Sequence, residues 1–435
     1  MKNLEFPKKI HWVVAVFLAA AAFTLVTHGW SSELSQNWQR QSEELVWGRI
    51  LQIQRGEFME GGGFLGRYAD GPEIEGQMDY FLSGETPQGE WRAYSHQSGL
   101  QGTLYGIVNL ILCVIIPQSN IRLFMLYFIN AALYVATMLF LCRWIWQKVG
   151  LTAAVAGFSC VLFTEYSIKA MPNLYWVIWS FIVPFLVSAA VCEWLKREPK
   201  WKSAVLGAAM IGLATLVRAL CGFEFVSSVM VGAELPVLWE LLNVEKRKRR
   251  FWFEFAILVG VFQLVAFAMA FGMWVIQEVL YLQDWEAAKA DILSTIAKRT
   301  GAFSEWVPDN EAYINSLKEP RLKVLKAYFD QKIYFNVLSL LDLVKGAVLS
   351  WVPLAIRGIW KRKLDQELVY QSRWLILALV SIAGPASWYV LASGHSAIHQ
   401  SMNGFLWLFP TIPLLLSVIG GNIAVLDAML RKDKS

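Results

Sequence analysis

The feature that most limits the possible folds is a series of apolar blocks, each close to the roughly 20 residues that a helix needs to cross a hydrocarbon core. They lie near 10–28, 122–142, 150–165, 173–192, 203–217, 225–242, 253–281, 343–358, 373–393 and 404–427. Their apolar residues are continuous rather than spaced for one buried helix face, and the chain is 56% hydrophobic with only 17% charged residues. Such a sequence is expected to fold as an all-α polytopic membrane protein of about ten transmembrane helices.

Charge between the blocks orients them. The stretches 143–150, 193–202, 244–252 and 357–367 and the tail "RKDKS" carry the Lys/Arg excess of cytoplasmic loops, and each is separated from the next by two apolar blocks. This alternation places 165–172, 218–224, 282–342 and 394–403 on the outer side. The net charge of +5 falls in these short clusters, a pattern that argues for membrane lipid as the partner and against nucleic acid.

Block 10–28 follows Lys8 and Lys9 and reads as a retained anchor, so both termini are expected in the cytoplasm and the chain in the inner membrane. Residues 104–116 are also apolar, but a crossing there would invert every later basic loop. Thirteen residues are also too few to span. They are expected to form a juxtamembrane or re-entrant helix on the outer face, with a chain of eleven crossings as the alternative.

The chain then divides into a first transmembrane helix (1–28), an outer loop with juxtamembrane helices (29–121), a helix bundle (122–281), a second, helical outer loop (282–342) and C-terminal transmembrane helices (343–435). No Ser/Gly linker marks a separate soluble domain. Tryptophans at block ends, among them Trp12, Trp30, Trp144, Trp146, Trp194, Trp201 and Trp252, read as interface anchors. The five cysteines show no metal or disulfide spacing and read as buried thiols.

On this topology the unusual polar residues gather outside, in six turns that point to one shared pocket. Glu43 and Glu44 open the stretch "SEELVWGRILQIQRGEF", where Val46, Ile50, Leu51, Ile53 and Phe58 recur at helical spacing. Acids in a first helical turn also meet the helix dipole favourably, so capping alone, with Ser42 or Ser32 as the cap, is the structural alternative. Tyr94, His96 and Gln97, Glu165 and Lys169, Arg218, and His395 and His399 stand in the other turns. The two last histidines, four residues apart, would share one face of a helix. Two histidines without a third ligand make a weak metal site, so no metal is assigned, although a divalent ion is compatible. The glycines of "GGGFLG" lack the following Lys-Ser/Thr of a nucleotide loop and read as outer-loop turns.

The stretch "EELVWGRILQIQRG" resembles the start of the GT-C superfamily of polyprenyl-phosphate-sugar glycosyltransferases, which includes protein O-mannosyltransferases and aminoarabinose transferases. That pattern has an acidic pair after the first membrane helix, an aromatic three residues on and a glycine further along; here Trp47 stands for the usual Tyr and Gly56 comes two residues early. "SHQSGLQGTLYGIVNLILCVII" follows the course of the family's juxtamembrane helix, without its Pro-Pro.

The resemblance implies an inverting transferase that moves a sugar from a lipid-linked donor to a glycan, lipid or protein acceptor at the outer face. Glu44, or its neighbour Glu43, would be the general base and Glu165 the second acid. The leaving phosphate needs cationic donors. Arg218 is the first candidate, followed by Lys169, His395 and His399, with Tyr94, His96 and Gln97 lining the same pocket. The competing readings are a surface-polysaccharide polymerase or ligase, and a non-enzymatic transporter or flippase of lipid-linked glycans. A transporter should carry polar groups at mid-depth, where these blocks read as nearly uncharged.

Overall fold

A computed structural model describes residues 38–58, 60–69, 76–301, 315, 318, 320–360 and 366–434. The expected first membrane helix at 10–28, with Trp12, Trp30 and Ser32, lies outside the described residues, as does part of the basic stretch 357–367.

The chain is predominantly helical. Helix α1 (Arg40–Gln54) leads to a short 3-10 turn (Glu60–Gly63), strand β1 (Leu65–Ala69), helix α2 (Gln77–Ser83) and strand β2 (Glu90–Tyr94). Helices α3 (Leu100–Ile115), α4 (Ser119–Lys148), α5 (Leu151–Phe163), α6 (Glu165–Ala170), α7 (Val183–Arg197), α8 (Trp201–Cys221), α9 (Val226–Asn243), α10 (Arg249–Leu282) and α11 (Trp285–Thr300) follow. The C-terminal part holds α12 (Arg321–Asp330), strands β3 (Lys332–Tyr334) and β4 (Leu338–Ser339), α13 (Leu340–Trp360), α14 (Gln366–Val380), α15 (Ala383–Leu391), α16 (Ser393–Ile398) and α17 (Thr411–Lys434).

Among the described residues, five helical stretches are long and apolar enough to cross a membrane: Ser119–Lys148, Trp201–Cys221, Lys246–Leu282, Gln366–Leu391 and Thr411–Arg431. Their outward residues explain why, since Leu206, Met210, Leu213, Ile257, Val261, Leu264 and Ile276 are exposed and would face lipid chains. Helix α8 packs along α10, α5 along α17, and α9 against α7 and α15.

Two tryptophans read as interface anchors belong to the core. Trp144 is buried against Trp374, with ring centroids 5.4 Å apart, and Trp252 packs against Phe255 at 5.9 Å. Both sit a turn or more inside long helices whose neighbours cover them. All five cysteines are free, and four are buried.

Helix α3 contains the ambiguous apolar stretch. At 16 residues it reaches about 24 Å, less than a hydrocarbon core. Its Gln101, Gly102, Tyr105, Gly106 and Asn109 are buried, with Gly102, Gly106 and Asn109 against α1, whereas Ile107, Ile111, Val114 and Ile115 form an exposed apolar stripe. Gly102 and Gly106 allow the two helices to meet, because a Cβ at either would strike Arg49 or Ile53 of α1.

The amphipathic surface helix expected from residue 45 is instead enclosed, with Glu43 to Ile53 all buried. Helix α1 is wedged between α2, α3 and β1, so it has no wet face. The two-stranded antiparallel sheet of β1 and β2 was not apparent in an all-helical reading; Leu65 pairs with Tyr94 and Ala69 with Glu90. Gly62, at φ 66°, lets the preceding turn approach the carbonyl of Gln277 on α10, a conformation that only glycine adopts easily. A Cβ at Gly48 would overlap the carbonyl oxygen of Gly66 on β1. Gly48→Ala is therefore expected to cost about 1–3 kcal/mol by overpacking, read as a lowered unfolding temperature in detergent.

Helix α11 begins where "DWEAAKADILSTIAKR" predicts it. Asp284 caps it, accepting from the backbone N–H groups of Glu286 at 2.8 Å and Ala287 at 3.2 Å.

Candidate functional site

The first turn of α1 directs two adjacent carboxylates at two other segments. Glu43 Oε1 accepts the backbone N–H of Leu174 at 2.7 Å and Oε2 accepts the hydroxyl of Tyr127 on α4 at 3.1 Å. Glu44 Oε2 accepts the N–H of Met78, in the first turn of α2, at 2.9 Å, and Oε1 lies 3.4 Å from Arg40 Nε. Neither caps its own helix. Gln39, the residue before α1, has no side-chain cap, and Ser42 bonds only to the Gln39 side chain. Capping alone therefore does not account for the pair.

The turn that reaches Glu43 is itself fixed. Asn130 Nδ2 donates to the carbonyls of Met171 and Asn173, each at 3.0 Å, while Asn130 Oδ1 accepts from the Tyr105 hydroxyl at 2.6 Å. Asn173 Oδ1 accepts from the backbone of Tyr175 and Trp176. A carboxylate held by such a turn cannot swing away without breaking it.

Glu43 and Glu44 form one wall of a cavity of about 210 Å³, completed by Arg40, Asn173, Pro172 and the apolar side chains of Trp47, Met78, Leu82 and Leu123. Trp47 stacks near Phe81 with ring centroids at 4.7 Å. Burial raises the pKa of Glu43 to about 7, against the lowering effect of its Leu174 and Tyr127 bonds. Glu44 is also raised by burial, but Arg40 and Met78 oppose the shift. Its cationic neighbour favours the ionised form, whereas Glu43 is poised to exchange a proton near neutrality.

A second polar centre lies around the segment 222–225. Arg299 on α11 donates through Nη2 to Glu224 Oε1 and to the His96 carbonyl, both at 2.9 Å. His96 Nδ1 shares a 2.9 Å hydrogen bond with the Thr295 hydroxyl. Arg218, at the end of α8, reaches the carbonyl of Glu224 at 3.1 Å and lies 3.8 Å from the centre of the Phe181 ring. His395, on α16, and His399 lie side by side with ring centroids 4.6 Å apart and planes tilted by 48°, on one face as their spacing predicts. Gln97 is fully buried; neither its amide oxygen nor its nitrogen has a partner, and Arg218 Nε and His395 Nδ1 are also unpartnered. Buried polar atoms of that kind cost stability unless water or a ligand meets them.

Burial pushes His96 down to about 4, with Lys298 and Arg299 adding to the fall. It takes His395 well below the ordinary histidine value, aided by His399 and Arg299, and lowers His399 as well. All three are neutral at pH 7, so positive charge at this centre comes from the arginines and the imidazoles serve as hydrogen-bond partners.

Six of the sequence candidates thus gather in one place: Tyr94, His96, Gln97, Arg218, His395 and His399. Glu43 and Glu44 line a neighbouring cavity instead, so the single shared pocket expected from the sequence is two polar centres. The 171–176 turn touches both, since Leu174 binds Glu43 while Tyr175 hydrogen-bonds Tyr94. Glu165 and Lys169 pair with each other on α6 and line neither the cavity nor the arginine centre. They satisfy one another at the i,i+4 spacing of a short helix.

Two residues of the second centre escaped the sequence reading. Glu224 lies in the outer stretch 218–224 but was not singled out, and Arg299 is near the end of an ordinary-looking helix; only their pairing distinguishes them. No group of three or more His, Cys, Asp or Glu side chains among the described residues is arranged to hold a metal. No protein-family model, no curated protein and no solved structure matches this chain.

Proposed function

We propose that the chain is an inner-membrane glycosyltransferase of GT-C-like type, with about ten transmembrane helices and both termini in the cytoplasm. It moves a sugar from a polyprenyl-phosphate donor to an acceptor at the outer face. The observation that carries this reading is the cavity beside α1, where a carboxylate poised near neutrality faces an apolar wall. Next to that wall, the exposed stripe of Ile107, Ile111, Val114 and Ile115 offers a lipid-facing approach; Ser119, which starts the helix after α3, bonds the Leu82 carbonyl at 2.6 Å.

The roles within the acidic pair follow from their partners. Glu43 lacks a hydrogen-bonded cation and acts as general base, taking a proton from the acceptor hydroxyl as the sugar's anomeric carbon leaves the lipid phosphate. Glu44 pairs with Arg40 and orients it, and Arg40 supplies positive charge in the same cavity. This reverses the sequence-based preference for Glu44 as base. Arg218 and Arg299, with the neutral histidines, bind phosphate or sugar oxygens in the adjoining centre.

Purified full-length protein incubated with a panel of polyprenyl-phosphate sugars should release free lipid phosphate with at least one donor and a suitable acceptor. No release with any donor counts against the reading. Tyr127→Phe removes one donor to Glu43, so the acid limb of the pH–rate profile should move to higher pH.

A second reading, a transporter or flippase of lipid-linked glycans, draws on Glu234 and Gln263. These polar groups lie well inside α9 and α10, where the apolar blocks had read as nearly uncharged. Movement of the donor lipid across vesicles without release of lipid phosphate would favour it.

A further inference from the structure

Glu234 stands halfway along α9, between apolar residues that run from Val229 to Trp239 on the same helix. Its Oε1 accepts from Gln263 Nε2 of α10 at 3.1 Å, and Gln263 Oε1 in turn lies 3.3 Å from the Thr215 hydroxyl of α8. Gln263 and Thr215 are buried, whereas Glu234 is half-buried. Gly260 faces the carboxyl across the helix pair, where a Cβ would lie 3.8 Å from Oε1. Two residues further along α9, Pro236 removes a backbone donor, leaving the carbonyl of Gly232 without its helical partner. The helix is thus locally loosened beside the acid.

Among the described residues no hydrogen-bond partner other than Gln263 and no cation meets this carboxyl. The ionisable groups on the elements packed against α9 are Lys202, Arg218 and Cys221 on α8, Arg249, Arg250, Glu254, Glu278 and Tyr281 on α10, Cys192, Glu193, Lys196 and Arg197 on α7, Glu367, Tyr370 and Arg373 on α14, and Tyr389 on α15. On α9 itself the other acid, Glu240, is neutralised by Lys148 at 3.1 Å and Lys196 at 3.3 Å.

A charged side chain at the bilayer centre costs several kcal/mol and persists where it is used. A purely structural carboxylate at this depth would be sealed and paired with a cation. One carboxyl and one amide are too few oxygen ligands for calcium or magnesium, but they suffice for a proton.

We propose that Glu234 is a proton-exchange site within the bilayer, a carboxyl reached from the lipid side that binds and releases one proton while Gln263 holds its other oxygen. On uptake, an O–H bond of hydronium breaks and one forms at Oε2, leaving a neutral carboxyl and a water molecule; release reverses the step. The site is independent of the transfer reaction proposed above.

The test uses the full chain in liposomes treated with dicyclohexylcarbodiimide, a lipid-soluble reagent that modifies protonated carboxyls, with adducts mapped by peptide mass. Wild type should carry an adduct on Glu234 that forms about tenfold more slowly at about pH 9 than at about pH 6, and Glu234→Gln should lack it. Glu278, fully buried on α10, should stay unmodified. A Glu234 that takes no reagent, takes it equally at both pH values, or is passed over for Glu278 overturns the proposal. The decisive readout is on wild-type protein, so it does not depend on a variant folding.

Discussion

Glu43→Gln is expected to reduce sugar transfer by about 10²- to 10⁴-fold, the usual contribution of a positioned general base, while the protein stays folded. The amide keeps both local bonds: its oxygen accepts the Leu174 N–H, and its nitrogen can donate to Tyr127. Glu44→Gln should lose less, because its part is to hold Arg40 and Met78. A variant pair with the opposite order would return the base role to Glu44.

The same substitution carries a stability signature that separates it from a merely damaged protein. Burial carries the titration of Glu43 from 4.5 to about 7, so the folded state keeps a proton that the unfolded chain releases. The contribution is present at low pH and is lost as pH rises through that window, at a cost of about 3 kcal/mol by the upper end. Glutamine has no such charge to bury. Glu43→Gln should therefore unfold at a higher temperature than wild type at about pH 8, with the gap closing toward about pH 5. Wild-type transfer should rise across the same interval as the base ionises. Activity and stability then move in opposite directions through one side chain.

The second large effect is expected at Arg299. Its guanidinium joins α11 to two separate loops through Glu224 and the His96 carbonyl, and Glu224 is almost completely buried. Arg299→Ala leaves that carboxylate without its partner, so unfolding measured in detergent should show a loss of about 3–5 kcal/mol. The double variant Glu224→Gln/Arg299→Met should recover part of it, since the uncompensated charge is then gone. Equal losses in the single and double variants would show that the packing of Arg299, not the ion pair, carries the stability.

Local chemistry made much of this legible before any coordinates. Helix α11 begins where an aspartate precedes an alanine-rich periodic run, and α3 faces α1 with its small and polar residues because its sequence separates them from an isoleucine-rich stripe. The closeness of His395 and His399 follows from four-residue spacing. The enclosure of α1 was not legible, because a helix with apolar residues at these positions looks the same whether its other face meets water or β1. Trp144 and Trp252 misled for a related reason: a tryptophan near a helix end is equally suited to a headgroup layer and to a core, and only neighbours decide.

The sequence by itself determined the class of protein, since apolar blocks of this length can be satisfied only where water is absent, and it determined which turns carry ionisable groups. The tertiary structure alone decided how those groups sort. It split ten candidates into a carboxylate cavity, an arginine and histidine centre, and a self-contained Glu165–Lys169 pair. It also added Glu224 and Arg299, whose role arises from a contact across 75 positions of the chain. Charge partnership depends on distance in space, and burial sets how strongly each partner is felt; neither is written in the order of residues along the chain.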